Sequence, residues 1–365
     1  MKSKLIFILL FIVGFLSCRE DPPTQVDGNA EMEIIVLWNN SQDDSIKNYV
    51  PLPNAQMILS SEYGVQIKYS NEKGVMHLEN IPSSTYQISA HGNHPSEEDI
   101  ILVGNIKNIE VNSGLSVIDT IYAKPVSSSG IAINEIYSAG PENKIFFIFD
   151  QFIELYNSSD STKYLDGMQV FRVTRNSEGV GPGGDEGNDG DIDGMTYCFK
   201  FPGKPGEKNY PFPSHSFVVL AQDAIDHRKA VSTSIDLSNA DWEFYNQLSA
   251  TDFDNGDVPN LININPEETG EFLISLTSDI IIVTNGIDTV WQDGIDIETI
   301  LDGVEYQSSA TKRQTLDDRI DKGWVKSVPK FSGKSLERRE PGTDTNDGTL
   351  DWRIIPHPTP GYQYE

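Results

Sequence analysis

From Glu31 onward the chain is cut into short apolar runs rich in β-branched and aromatic residues, and Gly, Asn, Asp or Pro closes nearly every run. Such punctuation suits strands joined by tight turns and leaves little room for helices. The best helical candidates, Asp223–Ser232 and Ala240–Leu248, are both short. An all-β protein is therefore expected. A chain of 365 residues is long enough for two or three domains, each with its own core.

The N-terminus reads MKSKLIFILLFIVGFLSCRED. Lys2 and Lys4 precede an apolar run that is too short for the roughly 20 residues needed to span a bilayer but has the proportions of a secretory leader. Ser17-Cys18 at its end resembles a bacterial lipobox, although Phe15 stands where Leu or Val is more usual. A plain signal peptide ending near a cysteine is the simpler alternative. Arg19-Glu20-Asp21 resembles the surface-export signal of Bacteroidetes-type lipoproteins. These resemblances imply a lipoprotein signal peptide over 1–17, lipidation of Cys18 and a flexible tether over 18–29. They also imply an outer-membrane, lipid-anchored protein exposed at the cell surface. With Cys18 acylated, only Cys198 remains, so no intrachain disulfide can form. Loss of Lys2 and Lys4 leaves 25 basic against 55 acidic residues, a net charge of −30. Such a surface repels nucleic acid and anionic membranes and favours cations.

Residues 30–125 give strand, turn and strand in a regular order. EMEIIVLWN is followed by PLPNAQMILSS, and IKYSNEKGVMHLENIPSSTYQISAHG then supplies three strands with turns at Asn71–Gly74 and Pro82–Ser84. Ala55 entering a strand, Gly74 in a hairpin turn and the Asn80–Tyr86 segment resemble the carboxypeptidase-regulatory-like, or transthyretin-like, β-sandwich. That family implies a structural or recognition module without catalytic residues. A linker over 126–130 leads to 131–365. Ile133-Asn134-Glu135, then Phe152-Ile153-Glu154-Leu155-Tyr156-Asn157, then Leu165-Asp166-Gly167 resemble the opening strands of the lamin-tail family. SHSFVVLAQDA, GEFLISL and Ile300–Gln307 resemble its later strands. Arg338, Asp351, Trp352, Thr359, Pro360 and Gly361 resemble its C-terminal signature. This implies a lamin-tail-like, immunoglobulin-like sandwich with insertions at about 172–210 and 223–268. The two-domain order as a whole resembles an uncharacterised family of Bacteroidetes-type surface lipoproteins, and that family implies an association with TonB-dependent receptors.

No catalytic constellation stands out. The chain lacks a Gly-x-Ser-x-Gly elbow, a His-Glu-x-x-His pair and a Gly-rich phosphate loop. Its six histidines are dispersed, and His91 with His94 lack a third ligand nearby. Cys198 in MTYCFKF reads as a small buried hydrophobe in a strand. Asn134, Glu135 and Glu154 interrupt apolar strands, either as ion or ligand contacts at one end of the sandwich or as partners for neighbouring backbone.

Acids alternate in three places: Asp189, Asp191 and Asp193 before Gly194; Asp252, Asp254 and Asp257; and Asp344 with Asp347. Oxygen ligands at positions 1, 3 and 5 of a loop suit calcium. Lys200 at position 12 and the absence of flanking helices exclude an EF-hand. The alternative is a Gly-rich loop that spreads its charge into solvent. Trp242, Phe244 and Tyr245 cluster inside an insertion, as a platform for a ligand or partner or as a satellite core. The expected function is that of a non-enzymatic surface lipoprotein that binds a ligand or receptor for TonB-dependent uptake. A calcium-stabilised adhesion module is the alternative, and a hydrolase built on dispersed carboxylates is a third reading.

Overall fold

The computed structural model describes residues 28–41, 46–96, 100–127, 130–142, 147–173, 190–309, 316–317 and 320–365. The leader, Cys18 with most of its tether, and Asp189 lie outside the described residues. Among those residues no helix is long and apolar enough to cross a membrane.

The chain folds as β-sandwiches. Strands β1 (Ala30–Asn39), β2 (Tyr49–Pro51), β3 (Gln56–Ser61), β4 (Gly64–Tyr69), β5 (Val75–Ile81), β6 (Ser84–Asn93), β7 (Ile100–Val111) and β8 (Ser116–Ser127) form the first. Their order is β2-β1-β8-β7-β6-β3-β4, with β5 added to β1. In β1 the period-two pattern is complete: Ala30, Met32, Ile34, Val36 and Trp38 are buried, while the residues between them face outward. Strand β8 runs parallel to β1 over Ser116–Ala123 and then turns antiparallel to β7 over Lys124–Ser127, so one strand joins the two layers. Gly74, at φ +71°, is required at its turn because a Cβ there would lie 2.6 Å from the Val36 carbonyl oxygen; the turn is not the expected hairpin, since β4 pairs with β3 and β5 crosses to β1.

The remaining strands are β9 (Ile131–Tyr137), β10 (Phe152–Asn157), β11 (Lys163–Tyr164), β12 (Gln169–Val173), β13 (Asp191–Ile192), β14 (Met195–Lys200), β15 (Pro211–Phe212), β16 (Phe217–Ala221), β17 (Trp242–Glu243), β18 (Ile262–Asn263), β19 (Ser278–Thr284), β20 (Ile295–Asp296), β21 (Ile300–Gln307), β22 (Val325–Lys326), β23 (Ser335–Arg338) and β24 (Trp352–Ile355). Two six-stranded sheets, β17-β16-β10-β9-β23-β24 and β18-β14-β12-β19-β21-β22, enclose the largest core. Each sheet also has a second, smaller core on its other face. One gathers Phe171, Cys198, Ile280 and Ile282, the other Tyr137, Phe152, Val219 and Ala221. Strands β9 and β10 are consequently buried along their whole length.

Two expected helices are absent. Asp223–Ser232 holds only a short 3-10 turn at His227–Lys229, and Ala240–Leu248 contains strand β17. GEFLISL is not a strand either; the strand is the next segment, β19. Phe272 and Ile274 are buried, but Gln151 occupies the backbone of Ile274. Its Nε2 donates to the Ile274 carbonyl (2.9 Å) and its Oε1 accepts from the Ile274 N–H (3.0 Å). A side chain thus does the work of a neighbouring strand.

One buried guanidinium connects the two large sheets. Arg338 in β23 donates to Asp302 in β21 (2.8 Å), to Asp351 (3.3 Å) and to the Ile133 carbonyl (2.7 Å). Asp302 also accepts from the Ile133 N–H at 2.6 Å. The C-terminal segment is fastened over the same sheet by carboxylates. Glu135 accepts from the Thr359 N–H (3.1 Å) and hydroxyl (2.9 Å), and Glu154 accepts from the Gly361 N–H (2.6 Å). Asn134 completes the set by accepting from the Gly342 N–H. The polar residues in the apolar strands therefore satisfy backbone, on segments about 200 residues away in sequence.

Removing the guanidinium strands two buried carboxylates. Arg338→Met is expected to lower the unfolding free energy by about 3–5 kcal/mol, measured by urea denaturation. Burial raises the Glu135 carboxyl to about 8, and burial followed by repulsion from Glu135 raises Glu154 as well. Both folded values exceed the unfolded value of about 4.3, so the folded state holds extra protons in the window between. Stability should fall as pH rises from about 4.5 to about 8. The decline in melting temperature should be shallower in Glu135→Gln.

Candidate functional site

The second insertion brings three carboxylates together. Asp223 follows β16, Asp252 lies in the loop after β17, and Glu271 precedes the core residue Phe272. One oxygen from each lies within 4.8 Å of the others. Asp223 is only 7% exposed, and its Oδ1 and that of Asp252 are buried without a hydrogen-bond partner. Gln222, 1% exposed, donates from Nε2 to Glu271 (3.1 Å) while its Oε1 has no partner.

Local chemistry explains why the loops hold this shape. Asn246 is fully buried and acts as a hub. Its N–H donates to Asp252 (2.8 Å), its Nδ2 donates to the Glu268 and Gly270 carbonyls, and its Oδ1 accepts from the Leu248 N–H and from Asn263 Nδ2. Glu243 accepts from the Ala224 N–H (2.6 Å) and the Asn255 N–H (2.9 Å), and Asn255 Nδ2 returns a bond to the Ala224 carbonyl (2.7 Å). Phe244 stacks on Phe272 at 3.8 Å, which fixes the stem that carries Glu271.

No described cation pairs with any of the three acids. His227 donates from Nε2 to the Asp223 carbonyl (3.0 Å) rather than to its carboxylate, and burial holds its ring below its ordinary value. Burial together with Glu271, Asp252 and Glu243 raises Asp223 to about 8. Burial together with Asp252 raises Glu271 to about 7, and burial raises Asp252 to about 6. Full ionisation would cost about 3–4 kcal/mol of repulsion per pair near 4–5 Å at an effective dielectric of 20.

The structure separates the sequence-predicted calcium residues. Asp252 joins Asp223 and Glu271, whereas Asp254 accepts from Asn260 Nδ2 (3.0 Å) and Asp257 lies exposed beyond it. Asp191 sits in β13 opposite Asp296 of β20, and Asp193 follows two residues later, half-buried. The aromatic trio does not form a platform. Trp242 (6% exposed) and Phe244 (0%) belong to the main core, Trp242 against Phe201 and Tyr210, and Tyr245 is half-buried. Sequence pattern missed Asp223 and Glu271, which are 48 positions apart and have no shared motif. Cys198 is buried, and burial pushes its thiol up, which keeps it protonated.

A second feature has the opposite charge. A pocket of about 500 Å³ is lined by Trp324, Lys326, Arg339, Thr349, Trp352 and Arg353, among others, and no carboxylate lines it. Arg353 is paired with Glu337 (2.7 Å). Arg339 donates from Nε to the Leu350 carbonyl (2.9 Å) and has no described carboxylate partner; burial and then Arg353 hold it below its ordinary value. Trp352 lies beneath the Arg338 guanidinium.

Residues 213–294 match the family model described as "Protein of unknown function (DUF4876)", and this stretch contains all three clustered acids. The fold resembles the crystal structure of a DUF4876 family protein from Bacteroides thetaiotaomicron VPI-5482. The TM-score is 0.52 at 18% identity, covering 89% of this chain and 94% of that one. A structure titled "putative carbohydrate binding protein", from Bacteroides uniformis ATCC 8492, aligns at a TM-score of 0.21 and 12% identity over 40% of this chain and 60% of that one. No curated protein matches. The comparisons fit an uncharacterised family with representatives in Bacteroides.

If Asn246 is the hub, Asn246→Ala leaves several buried donors and acceptors unpaired at about 1–3 kcal/mol each. Urea denaturation should show a loss of at least about 3 kcal/mol, and hydrogen exchange should rise first over residues 246–271.

Proposed function

We propose that this protein is a non-enzymatic, lipid-anchored module of the outer-membrane surface that binds an anionic ligand as an accessory of TonB-dependent uptake. The observation that carries the ligand part is the pocket around Arg339. Three cationic side chains and two indoles gather there on a chain of net charge −28. Its volume lies within the range of small-molecule sites. Arg339, with no carboxylate hydrogen-bonded to it among the described residues, can form a bidentate pair with a carboxylate or phosphate, and the half-buried Trp324 offers an indole face to a ring. The export-type N-terminus supports the placement at the surface, and the resemblance to surface lipoproteins supports the link to a TonB-dependent receptor. A calcium-stabilised adhesion module is the second reading, favoured by the clustered acids Asp223, Asp252 and Glu271.

The first reading is tested by titrating tryptophan fluorescence with oligogalacturonate, with its neutral counterpart and with a simple aromatic carboxylate. A salt-sensitive response to the anionic probes alone, weakened about tenfold or more in Arg339→Ala, is the expected outcome. Equal response to neutral and anionic probes, or an unchanged response in the variant, counts against the pocket. Repeated failure to recover an outer-membrane receptor with the protein after mild detergent extraction counts against the uptake role.

A further inference from the structure

We infer that Asp223, Asp252 and Glu271 form a binding site for one hard divalent cation of the calcium class, which closes the second insertion of the large sandwich. The inference is independent of which role the module plays at the surface.

Geometry comes first. Two oxygens on opposite sides of a calcium ion, at its usual 2.3–2.6 Å, stand about 4.6–5.2 Å apart. Three carboxylate oxygens mutually within 4.8 Å have a common point at most about 2.8 Å from each, so side-chain shifts of a few tenths of an ångström bring all three to calcium distance. The donor set is oxygen alone, which suits calcium or magnesium better than softer metals. His227, the nearest imidazole in sequence, is engaged at the Asp223 carbonyl.

The second observation is independent of the cluster of charge. A buried acceptor without a donor costs free energy, and native structures leave few of them. Here Gln222 Oε1 on a 1% exposed side chain, Asp223 Oδ1 on a 7% exposed one, and Asp252 Oδ1 all lack partners. Gln222 already reaches the cluster through its bond to Glu271. Asp223, more than nine-tenths buried, is the most enclosed member of the cluster whose acceptor is left without a donor. A divalent cation held by the three acids gives Asp223 and Asp252 a positive partner and cancels the repulsion between the acids.

The loops make the site conditional on the fold. Asp223, Asp252 and Glu271 come from three separate segments, tied together by Asn246, Glu243 and Asn255. An ion bound by all three resists the opening of any one, so it stabilises the folded chain and has no comparable site in the unfolded one.

The test uses the whole mature chain, stripped with EDTA and desalted, with calcium chloride and magnesium chloride as the probes. Calorimetric titration should give one calcium ion whose binding is lost in Asp223→Asn and in Glu271→Gln. The melting temperature of the wild type should rise by about 5 °C or more at a hundredfold excess over Kd. Both variants should show no rise, yet melt at or above the calcium-free wild type, because each removes one of the repelling charges. Asp254→Asn/Asp257→Asn should keep both the binding and the shift. No binding by the wild type at 10 mM calcium would falsify the site. Calcium binding that survives in both Asp223→Asn and Glu271→Gln also overturns it, by placing the ion elsewhere.

Discussion

The large sandwich depends on one buried charge. Arg338 is fastened to Asp302 on the facing sheet and to the backbone of Ile133 on its own. Asp302 completes the triangle through the Ile133 N–H. In a dry interior a lone guanidinium is costly, and so is a lone carboxylate; each is tolerable only with the other in place. Hydrophobic packing between the sheets is non-directional, whereas this triangle admits one register of β9, β21 and β23. The tail then adds its own constraint, because Glu135 and Glu154 accept the N–H groups of Thr359 and Gly361. The inner strands of one sheet, the tail and the facing sheet are joined by polar contacts within an apolar frame.

A frame closed in this way can carry long insertions. The chain between β16 and β19 contains two short strands, β17 and β18, scattered backbone bonds and bridges, and a dense set of side-chain hydrogen bonds to backbone. Asn246 and Asn255 are small, carry two donors and an acceptor each, and replace the ladder that a longer strand would provide. The same arrangement leaves Asp223, Asp252 and Glu271 facing one another, with the backbone N–H of Asn246 donating to Asp252. Asp166 shows the contrast: it accepts from the Asn209 and Tyr210 N–H groups and from Asn209 Nδ2, and despite some desolvation these bonds hold its carboxyl below the ordinary range. Asp223 has no such donor among the described residues, and burial followed by Glu271, Asp252 and Glu243 pushes it the other way.

That difference marks how far the sequence could be read. Strand β1 was legible because its alternation is local and its buried face is continuous. The turns at Gly74 and at Pro82–Ser84 were legible because turn chemistry is local too, whereas the crossing of β5 to β1, which makes neither turn a hairpin, was not. The segment GEFLISL has the composition of a strand, but Gln151, more than a hundred residues away, takes its backbone. Trp242 and Phe244 looked like a surface cluster because their neighbours in sequence are polar; their neighbours in space are Phe199, Phe201 and Phe272. Alternating acids drew the eye to Asp252, Asp254 and Asp257, yet the partners of Asp252 come from other segments. A local pattern reports on a loop's composition, whereas a site assembled from three loops leaves no local pattern.

The two charged features respond differently to the rest of the molecule. Net charge of −28 sets a field that draws cations toward every part of the surface, and a buried group of carboxylates deepens it locally. Any anion meets the reverse, and must cross a repelling surface to reach Lys326, Arg339 and Arg353. Salt limits the reach of both effects to about 8 Å at physiological ionic strength. Inside that distance the pocket's own cations dominate, and beyond it the acidic surface is largely screened. Recognition of an anion by this chain is therefore a short-range affair of guanidinium geometry and indole contact. Capture of a divalent cation benefits from the whole charge distribution, and the frame around Arg338 needs neither.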